Sequence, residues 1–272
     1  AGQRCSALRV LCLQDDVADR VLAMLKGGMA ELAMGNPDRL ATDVGPVIDA
    51  EARDNIVGHI EAMRAKGRRV HQAPVPAACA HGTFVPPTVI ELDSLSDLTR
   101  EIFGPVLHVV RWKRSADNTG LTKLIEQING TGSGLTLGIH TRIDETIAHV
   151  VDRAHVGNLY VNRNIVGAVV GVQPFGGEGL SGTGPKAGGP LYLLRLLSTC
   201  PQDAMRTALQ LTAGAGTEVD TDARRALLAP FDALTEWARK QSPELASLCE
   251  RLAAASATGA TATLPGPTGE RN

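Results

Sequence analysis

Residues 121–161 read LTKLIEQINGTGSGLTLGIHTRIDETIAHVVDRAHVGNLYV, and the fold class rests on them. Leu121–Ile128 repeats its apolar residues at helical spacing, Leu135–His140 is a short apolar run, Asp144–Ala154 is helical again, and Asn158–Val161 is strand-like. A strand, a helix and a second strand at this spacing form the unit that builds parallel sheets, because parallel neighbours need a long crossover between them. The expectation is an α/β fold with a parallel sheet covered on both faces by helices.

Reading outward from this stretch extends the pattern. Ala7–Leu13, ALRVLCL, reads as a buried strand, and Asp15-Asp16 caps a long amphipathic helix. A second amphipathic helix runs over about Asp49–Lys66 and stops at Gly67. Short strands are expected at Arg69–Gln72, Thr88–Leu92 and Leu107–Trp112. On the other side, Gly and Pro crowd into GAVVGVQPFGGEGLSGTGPKAGG, residues 167–189, a loop held in special backbone conformations. After Pro201 the composition turns to Ala, Leu and Glu, with helices expected at about Ala204–Leu211, Asp222–Lys240 and Pro243–Ala255. SATGATATLPGPTGERN has no apolar period and reads as a linker. The expected organisation is a domain over residues 1–200, a helical region over 201–255 and a linker over 256–272.

Composition excludes several functions. Net charge is -2 and aromatic content 3%, so neither a basic field nor a stacking surface argues for nucleic acid. No apolar run reaches the roughly 20 residues that cross a bilayer. The five cysteines (Cys5, Cys12, Cys79, Cys200 and Cys249) are scattered and odd in number, against both a disulfide framework and a zinc site. A reducing compartment, the cytoplasm, fits them. The seven histidines form no H-E-x-x-H, and no metal site is expected.

Gly177-Glu178-Gly179-Leu180-Ser181-Gly182 spells G-x-G-x-x-G, but Gln173-Pro174-Phe175 interrupts the approach and Thr183-Gly184-Pro185 blocks helix entry. A dinucleotide fingerprint needs a strand before it and a helix after it. The glycines either tie down a loop or, at Gly188-Gly189, present backbone N–H groups to an anion such as a carboxylate. A lone cysteine beside an apolar strand is usually a small buried hydrophobe. Around Cys5, however, stand Gln3, Arg4, Ser6 and Arg9, and either arginine would favour a thiolate. The other four cysteines are assigned to packing. Glu101 precedes a Gly-Pro turn, where a carboxylate is either a surface charge or an acceptor for sugar hydroxyls.

Taken together, GQRCSALRV, EIFGPV, NLYVNR and PFGGEGLSGTGPKAGG, in that order, resemble the aldehyde dehydrogenase superfamily over residues 1 to about 200. Within it the chain is most similar to the L-glutamate γ-semialdehyde (1-pyrroline-5-carboxylate) dehydrogenases, as in the dehydrogenase module of bifunctional proline utilisation A proteins. Cys5-Ser6, SGTGPKAGGP and the terminal LPGPTGERN carry that narrower likeness. The resemblance implies that Cys5 is the nucleophile and NAD the hydride acceptor. It implies that Glu101 holds the nicotinamide ribose and that Phe103 stands against the nicotinamide. Ser6, Gly188 and Gly189 would grip the substrate α-carboxylate, and Phe175 would line the aldehyde pocket. It implies a small-molecule aldehyde substrate and a homo-oligomer in the full-length protein. The resemblance implies FAD only where a proline dehydrogenase domain stands upstream.

The family's general base, a Glu, its second oxyanion donor, an Asn, and its Rossmann domain all lie before the nucleophile. The chain is therefore expected to be a fragment truncated at both ends, inactive by itself. Two alternatives stay open: a dehydrogenase for another semialdehyde, and a noncatalytic assembly module.

Overall fold

Val10–Gln14 (β1) runs without a break into the helix Asp15–Ala30 (α1). The computed structural model describes residues 1–169, 173–189, 192–197, 199 and 221–256. They fall into two compact units, Ala1–Val169 with Phe175–Gly184, and Val170–Pro174 with Pro185–Asn272. In the first unit, α1 is followed by Ala50–Ala65 (α2), Arg69–Gln72 (β2), Thr88–Leu92 (β3), Val106–Trp112 (β4) and Thr119–Asn129 (α3). Ser133–Gly134 (β5), Thr136–Ile139 (β6), Asp144–Val151 (α4), Asn158–Val161 (β7) and Glu178–Gly179 (β8) complete it.

The main sheet has the order β1-β4-β3-β2. β1 and β3 both pair parallel with β4, while β2 pairs antiparallel with β3, so the sheet is mixed. Strand alternation divides its side chains between two cores. Leu13, Val89 and Val109 meet Ala18, Leu22 and Met29 of α1. Ile90, Leu92, Val106 and Val110 meet Ile56, Ile60 and Met63 of α2 and Leu121, Leu124 and Ile125 of α3. Helices cover both faces, as the apolar periods require. The stretch 121–161 does form a parallel strand–helix–strand unit, but among the described residues β6 and β7 pair only with each other. A hydrophobic period reports which face a strand buries, not which strand lies beside it.

Local signals set the helix ends. Gln14, not Asp15, occupies the first cap of α1; Asp15 and Asp16 sit in its first turn, where their charge complements the helix dipole. At α2 the Asp49 carboxylate accepts the Ala52 N–H at 2.7 Å. Its other end closes on Gly67, at φ 76°, with Gly67 N–H donating to Arg64 O and Arg68 N–H to Met63 O. Asp49→Ala is expected to cost about 1 kcal/mol, read as a lower urea midpoint for the chain.

The second unit contains an antiparallel hairpin of Thr221–Arg239 (α5) and Pro243–Ser256 (α6) around buried Ala238, Ala246 and Cys249. Ser242 caps α6 through Leu245 N–H, and Arg239 pairs with Glu250 at 2.8 Å. These helices match the expected second and third; the helix placed at Ala204–Leu211 and the linker after Ser256 lie outside the described residues.

Candidate active site

Parallel pairing of β1 with β4 puts their amino-terminal ends side by side, with Val10 opposite His108. The residues just before each strand therefore share one edge of the sheet, and these are Cys5–Arg9 and Glu101–Pro105. The strand expected from Ala7 begins only at Val10, because residues 4–7 form a turn closed by Ala7 N–H on Arg4 O at 3.2 Å. That turn leaves Cys5 exposed, while Ser6 is 6% exposed. Gln3 Oε1 accepts the Ile48 N–H at 3.0 Å and ties the turn to the segment before α2. Gly2 lies at φ 73°, and a Cβ there would overlap the Gly104 carbonyl, so only glycine lets these two loops touch.

In the facing loop, buried Ile102 anchors the chain in the core. Its neighbours face solvent: the Glu101 carboxylate is 51% exposed and Phe103 is 42% exposed. A carboxylate with a free edge beside a flat ring suits a ribose diol next to a planar heterocycle, so the residues present fit the nicotinamide end of NAD.

The groups that join the two loops are Arg9 and, behind it, the pair His108 and His59. Arg9 and Arg4 do stand near Cys5, but both guanidiniums bond backbone carbonyls: Arg4 to Gln3 O at 3.1 Å, Arg9 to Cys5 O at 3.3 Å and Arg4 O at 3.0 Å. Arg9 also pairs with Glu101 at 3.2 Å and covers the Phe103 ring. Behind it, the Arg9 carbonyl accepts both the backbone N–H of His108, at 2.9 Å, and His108 Nδ1, at 3.1 Å. A carbonyl cannot donate, so neutral His108 carries its proton on Nδ1 and its Nε2 accepts from His59 Nε2, 2.8 Å away. Burial pushes His108 down to about 4, against the Arg9 carbonyl bond, and His59 beside it pushes the same way as burial. His59 is lowered by burial and by Arg100 and Lys66. The spacing Cys-x-x-x-Arg was the available sign of this cluster; nothing in sequence marked the histidines.

Cys12, Cys79 and Cys249 behave as packing residues. Burial raises the Cys12 thiol to about 11, and Cys79 and Cys249 are buried; Cys200 lies outside the described residues. Among the described residues no group of His, Cys, Asp or Glu is placed to hold a metal. No described helix is long and apolar enough to cross a membrane. A cavity of about 380 Å³ lies at the opposite, carboxyl ends of the strands, beside Arg68, Arg69, Arg111 and Glu91. Its arginines are paired with Asp93, Asp97, Asp19 and Glu91, which also accepts Lys26 at 3.5 Å.

The glycine loop divides between the units. Glu178–Gly179 pairs antiparallel with Ser133–Gly134, and Gly134 N–H donates to Ser181 Oγ at 3.2 Å. A Cβ on Gly177 would meet Ser181 O at 2.7 Å and Gly134 O at 2.9 Å. Close backbone packing, with a β-pair in place of a helix, therefore accounts for these glycines. Phe175 is half-buried, and the next N–H, of Gly176, donates to Asn158 Oδ1 at 3.0 Å. In the second unit, Gly188 has φ 75° with open space where a Cβ would be, and the Gly189 N–H closes a turn on Lys186 O at 3.0 Å.

The profile of the aldehyde dehydrogenase family matches residues 1–199. The chain belongs to this family. It is 61% identical over 277 aligned residues to the bifunctional protein PutA of Klebsiella aerogenes, an alignment covering 100% of this chain and 21% of PutA. It is 38% identical over 196 residues to the 1-pyrroline-5-carboxylate dehydrogenase of Geobacillus kaustophilus, covering 71% of this chain and 36% of that protein. A crystal structure of a mutant proline utilization A from Bradyrhizobium japonicum superposes with a TM-score of 0.65 at 55% identity, over 71% of this chain and 19% of that one. The chain thus spans about a fifth of the length of the PutA relatives it matches.

Proposed function

We propose that this chain is the nucleophile-bearing segment of an NAD-dependent L-glutamate γ-semialdehyde dehydrogenase serving proline breakdown in the cytoplasm. One observation carries the reading: an exposed cysteine, an exposed carboxylate and an exposed aromatic ring meet at one sheet edge, from loops about a hundred residues apart in the chain. The similarity to PutA and to a 1-pyrroline-5-carboxylate dehydrogenase supports the substrate class.

The chemistry runs through Cys5. Its thiolate adds to the aldehyde carbon, forming a C–S bond while the carbonyl π pair moves onto oxygen. The backbone N–H of Cys5 donates to that oxyanion. When the oxyanion collapses, the C–H bonding pair leaves as hydride and a thioester remains on Cys5. When bound, NAD supplies the nicotinamide that accepts this hydride. Water then adds to the thioester, the C–S bond breaks with its electron pair returning to sulfur, and the acid leaves with loss of the water protons. Sulfur suits both halves, being strongly nucleophilic and a good leaving group. Glu101 would accept from the ribose hydroxyls of NAD and Phe103 would back its nicotinamide. The resemblance assigns the α-carboxylate to Ser6 and to the amides of Gly188 and Gly189, and the aldehyde chain to Phe175. For Gly189 this means sharing or releasing the turn bond to Lys186.

The test compares substrates in the full-length protein that carries this segment. L-glutamate γ-semialdehyde should exceed an uncharged aliphatic aldehyde of equal length by about 100-fold or more in kcat/KM, because the unused carboxylate donors are left desolvated by the wrong substrate. The isolated 272-residue chain should produce no NADH. Preference for the uncharged aldehyde, or turnover by the chain alone, overturns the reading.

A further inference from the structure

Arg9 makes contacts that stability alone does not account for. Nη1 donates to the Cys5 carbonyl at 3.3 Å and stands 3.2 Å from Glu101 Oε1. Nη2 donates to the Arg4 carbonyl at 3.0 Å, and the guanidinium lies 3.9 Å over the centroid of the Phe103 ring. Its Nε, by contrast, is buried with no acceptor among the described residues. An apolar side chain would carry no such unpaired donor, so the fork answers to something besides packing.

The geometry points to Arg9 as the positioning residue that sets the spacing between the Cys5 turn and the Glu101–Phe103 edge, and with it the approach of sulfur-bound substrate to the nicotinamide. This inference rests on the roles proposed above for Cys5, Glu101 and Phe103. The Arg4 carbonyl and the Cys5 N–H belong to one planar peptide unit. A donor fixed on that carbonyl therefore fixes the direction of the N–H that faces the oxyanion. The second bond, to the Cys5 carbonyl, fixes the next peptide plane in the same way. On the other side, the ion pair engages Oε1 of Glu101 and leaves Oε2 to a ribose hydroxyl, while the guanidinium face holds the ring. The backbone of Arg9 is itself pinned, since its carbonyl accepts twice from His108. Lysine cannot replace this, because a point charge pairs with Glu101 but cannot fork between two carbonyls and stack on a ring.

Two variants test it in the full-length protein, Arg9→Met and Arg9→Lys. With Arg9→Met, the NAD dissociation constant measured by calorimetry should rise about tenfold as Glu101 loses its partner. Amide hydrogen exchange at residues 4–7 should speed by about tenfold. Deuterium at the aldehyde carbon should slow turnover more than in the parent, because misplacement makes hydride transfer limiting. Arg9→Lys should keep near-parental NAD affinity but show the faster exchange and the larger isotope effect. A merely structural role would lower the active fraction without changing the isotope effect. Parental NAD affinity, exchange and isotope effect in Arg9→Met would overturn the assignment. Were the parent itself to bind no NAD and oxidise no aldehyde, the functional reading would fail, and parental exchange at 4–7 in Arg9→Met would still refute the coupling.

Discussion

Cys5→Ala is expected to lower NAD-dependent aldehyde oxidation by about 10⁴-fold or more, since removing the nucleophile of a covalent mechanism removes the intermediate. The comparison belongs in the full-length protein, with NADH formation from L-glutamate γ-semialdehyde as the readout. Cys5→Ser should fare little better. A hydroxyl is a weaker nucleophile at neutral pH, and an oxygen ester does not expel its alcohol as a thioester expels sulfur. Iodoacetamide should inactivate the parent and label Cys5, which is exposed. Cys12 should not compete, because burial holds its thiol protonated up to about pH 11. If the chain were an assembly module, alkylation of Cys5 would change nothing. Activity of Cys5→Ala within about tenfold of the parent would place the nucleophile elsewhere.

What the sequence disclosed about this site follows the range of its signals. β2 at Arg69–Gln72, β3 at Thr88–Leu92 and β7 at Asn158–Val161 have the expected bounds, because each is a short local segment punctuated by Gly or Pro. β1 starts three residues after the expected Ala7, since ALRVLCL is apolar but for Arg9 and only the carbonyl of Arg9, bonded to His108, marks where the ladder begins. Strand order is another matter. Nothing in ALRVLCL or VLHVVRW names the other as its neighbour, yet their pairing brings Cys5 to Glu101 and Phe103. The resemblance to a family supplied the roles of these residues, but not the contact between them. Arg9 illustrates the limit: its charge is evident in the sequence, but its acceptors are carbonyls, which every residue has. β5 and β8, two residues each, were invisible because glycine packing leaves no side-chain period to read.

Stability should fall as pH drops from 6.5 toward 4, and His108 should account for about 3 kcal/mol of that loss. His108 is 1% exposed, and its ring already donates to Arg9 O and accepts from His59. Protonation would put a charge in the core, turn the acceptor nitrogen into a second donor facing His59, and be opposed by His59 itself. In the unfolded chain the imidazole takes its proton at its ordinary value near 6.5, whereas in the fold it resists until about 4. Between those values the unfolded state binds more protons than the native one, so acid favours unfolding; above 6.5 the contribution is fully present, and below 4 no more is lost. His108→Gln separates this from carboxylate titration, because an amide can donate to Arg9 O and accept from His59 yet carries no titrating proton. Urea unfolding of the chain at pH 7, 5.5 and 4.5 should show the parent losing about 1 kcal/mol per pH unit more than the variant. Parallel pH profiles would mean that His108 meets acid with the same affinity folded and unfolded. The histidine pair would then be a pH-indifferent spacer behind Arg9 and not the acid-sensitive support of the Cys5 loop.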